Sequence, residues 1–303
     1  MRLSIWPGTE HPFEEIAATA RHAEATGWDG LWLADHFMPN TPDGSRPTAP
    51  RLEGWTALAA LAATTGRLRL GVLVSGNLYR HPAVLANMAA TVDHVSGGRL
   101  VLGLGAGWQV NEHEAYGIDL PAPPERLARL DEACAVVKAL LGEERSDFGG
   151  RYYQLVDAVC EPKPVAGGLG VPLLVGGSGE RVTMRIAARH ADAWNTWGLP
   201  ELIEAKTRVL RRHCEDLGRD PAGIERSAQV FFQLTDEAGG TAGLPGMPSA
   251  AGPAAVLAEV VAGYRAIGLD ELIVPDRTLG ATLPERLETM DRLREEVVLA
   301  AAG

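Results

Sequence analysis

Cysteine is scarce: Cys134, Cys160 and Cys214 are three in 303 residues, odd in number and widely spaced, so they form neither a disulfide framework nor a zinc-ligand set. A reducing compartment, the cytoplasm, fits that usage. Nor does any window reach the roughly 18 uncharged apolar residues of a membrane span. The first residues, Met1 to Trp6, enter a strand-like pattern directly, and no export signal is expected. Basic residues are in the minority, 28 against 39 acidic ones, and the formal net charge of −11 excludes a general affinity for nucleic acid or anionic membrane. Short internal repeats and low-complexity tails are lacking as well.

What is present is apolar residues and glycine. With 46% hydrophobic and 22% charged residues the chain can bury a large core without a disulfide or metal staple. Its most distinctive stretch is Leu100-Val-Leu-Gly-Leu-Gly-Ala-Gly107, followed by Trp108-Gln-Val-Asn-Glu112. An apolar run ending in alternating glycines reads as a buried parallel strand whose C-terminal end comes close to something flat or bulky, such as a cofactor. Pro172-Leu-Leu-Val-Gly-Gly-Ser-Gly179 repeats the design. The helical pattern starting near Glu180 would offer free N–H groups and its positive dipole end to an anion. Neither stretch is the G-x-G-x-x-G dinucleotide fingerprint, since Trp108 occupies the third place of the first.

In chain order, strand-like and helix-like segments alternate. Strands are expected at 2–6, 28–34, 68–75, 100–105, 172–175, 192–195, 224–234 and 271–274, and helices at 13–26, 54–65, 82–95, 125–141, 180–190, 202–217, after Pro253, and 284–299. Eight such units in one chain of this size favour a (β/α)8 TIM barrel over an open doubly wound sheet, as a single domain spanning 1–303. A small hairpin is expected as an insertion at about 147–164. Two long loops, at about 35–51 and 237–253, exceed the usual connection length and are candidates for function and substrate choice.

In a barrel the chemistry sits on loops at the C-terminal ends of the strands. There the polar residues gather: Asp35 and His36 after strand two, Ser75, Asn77 and Arg80 after strand three, Gly105 to Glu112 after strand four, and Gly176 to Gly179 after strand five. Each has a plain structural alternative. Asp35 could cap a turn, His36 could be a loop residue, Arg80 and His81 could start a helix, and Asn111 and Glu112 could brace their loop. Trp194 and Trp197 read as packing residues.

Five segments in register carry a resemblance that spans nearly the whole chain. They are Asp35-His36, Ser75-Gly-Asn-Leu-Tyr-Arg-His-Pro82, Asp93-His-Val-Ser-Gly-Gly-Arg-Leu-Val-Leu-Gly-Leu-Gly-Ala-Gly107, Glu114-Ala-Tyr-Gly117 and Val175-Gly-Gly-Ser-Gly179. Together they resemble the bacterial luciferase-like superfamily, in particular its actinobacterial branch using the deazaflavin coenzyme F420. The resemblance implies an oxidoreductase that transfers a hydride between the deazaflavin and a small organic substrate. It places Asp35 and His36 beside the ring and a non-proline cis peptide near Val72, Leu73 and Val74, against which the ring rests. Ser75 and Asn77 would border the ring, Gly105, Ala106 and Gly107 would leave room for it, and Asn111 would meet its polar edge. Gly176, Gly177, Ser178 and Gly179 would hold the phosphate. The catalytic candidates are His36, because imidazoles exchange protons near neutral pH, and then Glu112.

One departure bears on the substrate. The sugar-phosphate dehydrogenase branch places an acid after its glycine strand and a tryptophan in the second-strand loop, where this chain has Trp108 and Asn40. A more apolar pocket is the expectation. Three further readings stay open: an FMN-dependent monooxygenase supplied by a partner flavin reductase, a catalytically silent flavin or deazaflavin carrier, and a sugar-phosphate barrel without redox cofactor. A small-molecule substrate and a homodimer are the expected partners, and no metal site is expected.

Overall fold

Alternating apolar residues and helical stripes close this chain into a barrel. In the computed structural model, which describes residues 1–41, 43–165, 170–235 and 246–302, eight parallel strands form a closed ring. They are β1 (Arg2–Trp6), β2 (Gly30–Leu33), β3 (Arg69–Gly76), β4 (Leu100–Gly105), β7 (Leu173–Gly176), β8 (Ala193–Trp197), β9 (Glu225–Gln229) and β12 (Glu271–Pro275). The ring order is β1-β12-β9-β8-β7-β4-β3-β2. The antiparallel hairpin β5 (Ser146–Gly149) and β6 (Gln154–Ala158) lies between β4 and β7 in the chain, and β10 (Phe231–Leu234) pairs in parallel with β11 (Ser249–Gly252) outside the ring.

Helices α1 (Phe13–Thr26), α2 (Gly54–Thr64), α3 (Pro82–Ser96), α4 (Val110–Tyr116), α5 (Pro123–Gly142), α6 (Thr183–His190), α7 (Pro200–Asp216), α8 (Ala254–Ala266) and α9 (Leu283–Arg292) follow the strands. Helix α1 shows why. Ile16, Ala17, Ala20 and Ala23 recur on one face and are buried, and Gly27, at φ 83°, ends the helix in the left-handed conformation that costs glycine least. The outward residues of the strands and the inward faces of these helices make one continuous apolar layer. Inside the ring a second, smaller cluster comprises Trp32, Leu73, Val101, Leu174, Ala193 and Ile273, with Trp6 and Val74 packed on it.

The two ends of the barrel differ. At the N-terminal end Glu271, 2% exposed, accepts from Ser4 Oγ at 2.5 Å, Trp32 Nε1 at 2.8 Å and Arg69 Nη1 at 3.2 Å. Polar plugs of this kind close the stability face, leaving the C-terminal mouth for ligands.

Three expectations need correction. The expected strand 224–234 breaks after Gln229, because Phe231–Leu234 leaves the ring to pair with Ser249–Gly252, a partner remote in sequence. Between the expected strand 100–105 and the expected helix 125–141, a stretch with no expected element, lies α4, whose buried face is polar (Asn111, Glu112, His113) and so gave no apolar period. The helix expected from Glu180 starts at Thr183, since the chain first makes a wide turn closed by Met184 N–H donating to Gly179 O at 3.0 Å. Within the loop expected at 237–253, residues 237–245 lie outside the described residues, and Ser249–Gly252 is strand β11.

Candidate functional site

The mouth is shaped first by β3. Its pairing with β4 runs in register through Val72↔Leu102 and resumes at Ser75↔Leu104, and the Leu73–Val74 peptide within that break is cis. Strand alternation would send one of these two residues outward. Instead Leu73 and Val74 both pack on the cluster inside the ring, while Val72 and Ser75 face the helices. The glycines of β4 and β7 accommodate this bulge: a Cβ on Gly105 would lie 2.6 Å from Val74 Cγ2, one on Gly176 2.9 Å from Val74 Cγ1, and one on Gly103 2.2 Å from Val72 O. Gly105 therefore makes room for Val74, not directly for a ligand. Val74, half-buried, is the surface presented to the mouth.

His36 stands beside this floor at 25% side-chain exposure, with Trp108 edge-on to its ring at 5.4 Å. Behind it lies Glu112, whose side chain is fully buried. This carboxylate accepts from His36 Nδ1 at 2.9 Å, from Tyr79 OH at 2.7 Å and from Phe37 N–H. Burial pushes the Glu112 carboxyl up, but the hydrogen bonds from His36, Phe37 and Tyr79 outweigh it and hold the group below the ordinary glutamate value. Burial and the facing carboxylate push the Tyr79 phenol up, so it stays a donor. An ionised carboxylate only accepts, so Nδ1 carries the shared proton and Nε2 is left for the pocket. This overturns the expectation that Glu112 is an alternative proton donor, because it is sealed from the mouth and kept ionised.

Asp35 is likewise behind the mouth. Its side chain is fully buried, Oδ2 accepts from Gly76 N–H at 2.9 Å, and Arg80 clasps both oxygens at 2.8 and 2.9 Å. Arg80 also pairs with Glu53, the residue that caps α2. The Asp35 carboxylate ties the ends of β2 and β3 together, both oxygens held by protein donors. Ser75, expected at the ring, is fully buried and accepts from Trp55 Nε1 at 3.0 Å. Asn111 lies on α4 with its Nδ2 held by Pro39 O and Ser45 O, both at 3.1 Å, so it anchors the loop after β2. Asn77, 2% exposed, donates to Tyr153 OH at 3.2 Å, and its Oδ1 has no partner among the described residues.

The turn after β7 holds the other part of the site. Gly177 N–H donates to Asn195 O at 2.9 Å, and Gly177 O accepts from Trp194 Nε1 at 2.9 Å. Gly177 thus offers no free donor, contrary to expectation. The exposed N–H groups of Ser178, Gly179, Glu180 and Arg181 carry no protein partner among the described residues. Lys206 on α7 grips this turn, donating to Ser178 O at 3.1 Å and Glu180 Oε1 at 2.9 Å. A cluster of free N–H groups suits a phosphate, while the Lys206 ammonium beside it is already paired with Glu180. A Cβ on Gly179 would sit 2.8 Å from Thr183 Oγ1, which keeps the turn close to α6.

Of the candidates, His36, Val74, Ala106, Gly107, Gly176, Gly177, Ser178 and Gly179 are accessible, whereas Asp35, Val72, Leu73, Ser75, Asn77, Gly105, Asn111 and Glu112 are buried support. Sequence reasoning missed Tyr79 and Lys206 as partners, and Trp6, Trp197 and Phe231 as a wall. Nothing local marks them, since their partners come from other strands.

A parallel barrel with its third strand bulged over glycines and a donor-rich turn after the strand two places further round defines a TIM barrel whose candidate residues gather at the C-terminal mouth. Residues 1–239 match the luciferase-like monooxygenase family model, and the chain belongs to that family. It is 36% identical over 228 residues to an F420-dependent glucose-6-phosphate dehydrogenase of Kineococcus radiotolerans, covering 74% of this chain and 65% of that one. It is 38% identical over 175 residues to a protein of the same name from Microbacterium testaceum, covering 57% of this chain and 49% of that one. The chain thus spans about half to two thirds of the length of these relatives. Among solved structures it resembles an F420-dependent secondary alcohol dehydrogenase in complex with an F420-acetone adduct, with a TM-score of 0.82 and 18% identity over 99% of both chains. At that identity the likeness speaks for the fold.

Proposed function

We propose that the chain is a coenzyme F420-dependent oxidoreductase acting on a small organic substrate. The observation that carries this reading is His36, partly exposed at the end of β2 and held through Nδ1 by a buried, ionised Glu112, which leaves Nε2 without a hydrogen-bond partner among the described residues. The names of the curated relatives supply the cofactor class. The chain's residues fit such a group: the free N–H groups of residues 178–181 suit its phosphate, and the Val74 bulge suits one face of a planar ring.

When bound, a deazaflavin supplies or accepts a hydride. The protein's part is orientation and proton transfer. Neutral His36 accepts a substrate hydroxyl proton at Nε2 during oxidation, and the protonated ring returns it to a carbonyl oxygen during reduction. Glu112 stabilises the imidazolium so formed and fixes the ring's orientation. Tyr79 keeps Glu112 in place.

The same phosphate turn would serve FMN, and the family's name favours that second reading, a monooxygenase fed by a separate flavin reductase. Titration of the purified chain with oxidised and reduced F420 and FMN separates the two. Tight F420 binding with FMN at least tenfold weaker is expected; the reverse order would replace the proposal with the flavin reading.

A further inference from the structure

The inner residues of the mouth divide into two halves. On the β3, β4 and β7 side the surface is Val74, seated over Gly105 and Gly176. Outside that arc, the ends of β1 and of β8, which pairs with β7, carry Trp6 and Trp197. Inward alternation places them there, since Ala193 belongs to the inner cluster and Trp197 lies four residues on, while Trp6 packs on the same cluster as Val74. Their rings meet at 5.7 Å, and Phe231, just beyond β9, stacks on Trp197 at 5.2 Å and 25°. Phe231 is buried, but Trp6 and Trp197 are only half-buried, so each keeps surface facing the mouth.

The cations that flank this wall are already neutralised. Arg51 pairs with Glu10 at 2.8 Å, His11 with Asp276 at 3.3 Å, and Arg286 with Glu15 at 2.5 Å and Asp276 at 3.6 Å. Arg277 is exposed on the turn after β12. Exposed to water, it gives a phosphate far less than a buried bidentate clasp would. Aromatic faces with one indole N–H each instead favour flat or apolar groups, gaining from area burial and offset stacking.

We infer that the Trp6–Trp197–Phe231 wall is the substrate half of the mouth and selects a neutral substrate with an aromatic or alicyclic group, not a sugar phosphate. The inference rests on the oxidoreductase reading for the word substrate, but the wall itself can be tested without cofactor. The probes are acetophenone and glucose 6-phosphate. The readout is fluorine NMR of the chain carrying 5-fluorotryptophan at its seven tryptophans, assigned through single Trp→Phe variants. Acetophenone is expected to shift the Trp6 and Trp197 signals in a saturable way and to leave buried Trp28 and Trp55 unmoved, with glucose 6-phosphate producing no saturable shift. Trp197→Ser should weaken acetophenone binding at least tenfold and Trp197→Phe less than threefold. Saturable binding of glucose 6-phosphate that is lost in Arg277→Ala would overturn the inference, as would acetophenone leaving Trp6 and Trp197 unmoved. F420 titration of the same sample keeps the two readings apart. Failure of F420 to bind beside a normal acetophenone response removes the cofactor reading and leaves the wall, and the opposite pattern removes the wall alone.

Discussion

Glu112→Gln tests the charge at the centre of the site with almost no change of shape. The wild-type carboxylate is fully buried and accepts three hydrogen bonds, from His36, Tyr79 and Phe37 N–H. Hydrogen bonds to a charged group contribute about 1.5–3 kcal/mol each. The amide keeps one acceptor oxygen and turns an NH2 toward donors that then lack a partner. Breaking a buried, paired charge from one side costs about 3–5 kcal/mol. We take about 3 kcal/mol, because the glutamine oxygen still accepts, and for a protein of 303 residues that corresponds to roughly 5 °C in Tm. The sign with pH follows from the lowered carboxyl. Its stabilising contribution is complete above the ordinary value near 4.5 and is lost as pH falls through the folded-state value. The Tm gap between wild type and Glu112→Gln should therefore be full at pH 7 and shrink below about pH 4.5. Thermal melts by circular dichroism at pH 7, 5 and 3.5 read it, and nitrogen NMR of His36 should show a protonated Nδ1 in the wild type only. A gap that stays constant over this range, or no gap at pH 7, would refute the account of Glu112 as a buried anion that orients His36.

Three other outcomes are expected. His36→Asn should lower single-turnover hydride transfer by about 10²–10⁴-fold at saturating cofactor while Tm moves by no more than a degree or two; equal rates would withdraw the proton-transfer role. Gly105→Ala puts a Cβ 2.6 Å from Val74 Cγ2 and must push that side chain into the mouth, so F420 affinity should fall at least tenfold, about 1.4 kcal/mol. Unchanged affinity in an isothermal titration would remove Val74 from the cofactor floor. His11 is raised above its ordinary value of 6.5, chiefly by its hydrogen bond to Asp276, so its contribution is complete below that value and lost as pH rises through the folded-state value. The Tm cost of His11→Asn should accordingly be larger at pH 5.5 than at pH 8.5, and an equal cost at both would count against the pairing with Asp276.

The sequence by itself determined the barrel, because each strand and helix writes its own period and eight repeats of the pair have few ways to close. It also pointed to the ends of β3, β4 and β7 as places of close approach, since glycines after apolar runs mark it wherever they fall. Tertiary structure decided what the glycines approach. Gly105 and Gly176 yield to Val74, a neighbour on another strand that no local pattern names. It also sorted the polar residues into those at the mouth and those behind it: Asp35 turns to Arg80, Ser75 to Trp55 and Asn111 to the loop after β2. The aromatic wall belongs to the same category. Trp6, Trp197 and Phe231 are far apart in the chain, Trp197 reads singly as a packing residue, and only closure of the ring brings the ends of β1 and β8 together so that these rings meet. Local sequence fixes which element a residue joins; which side chains meet across elements depends on register, and register is settled by the packing of the whole barrel.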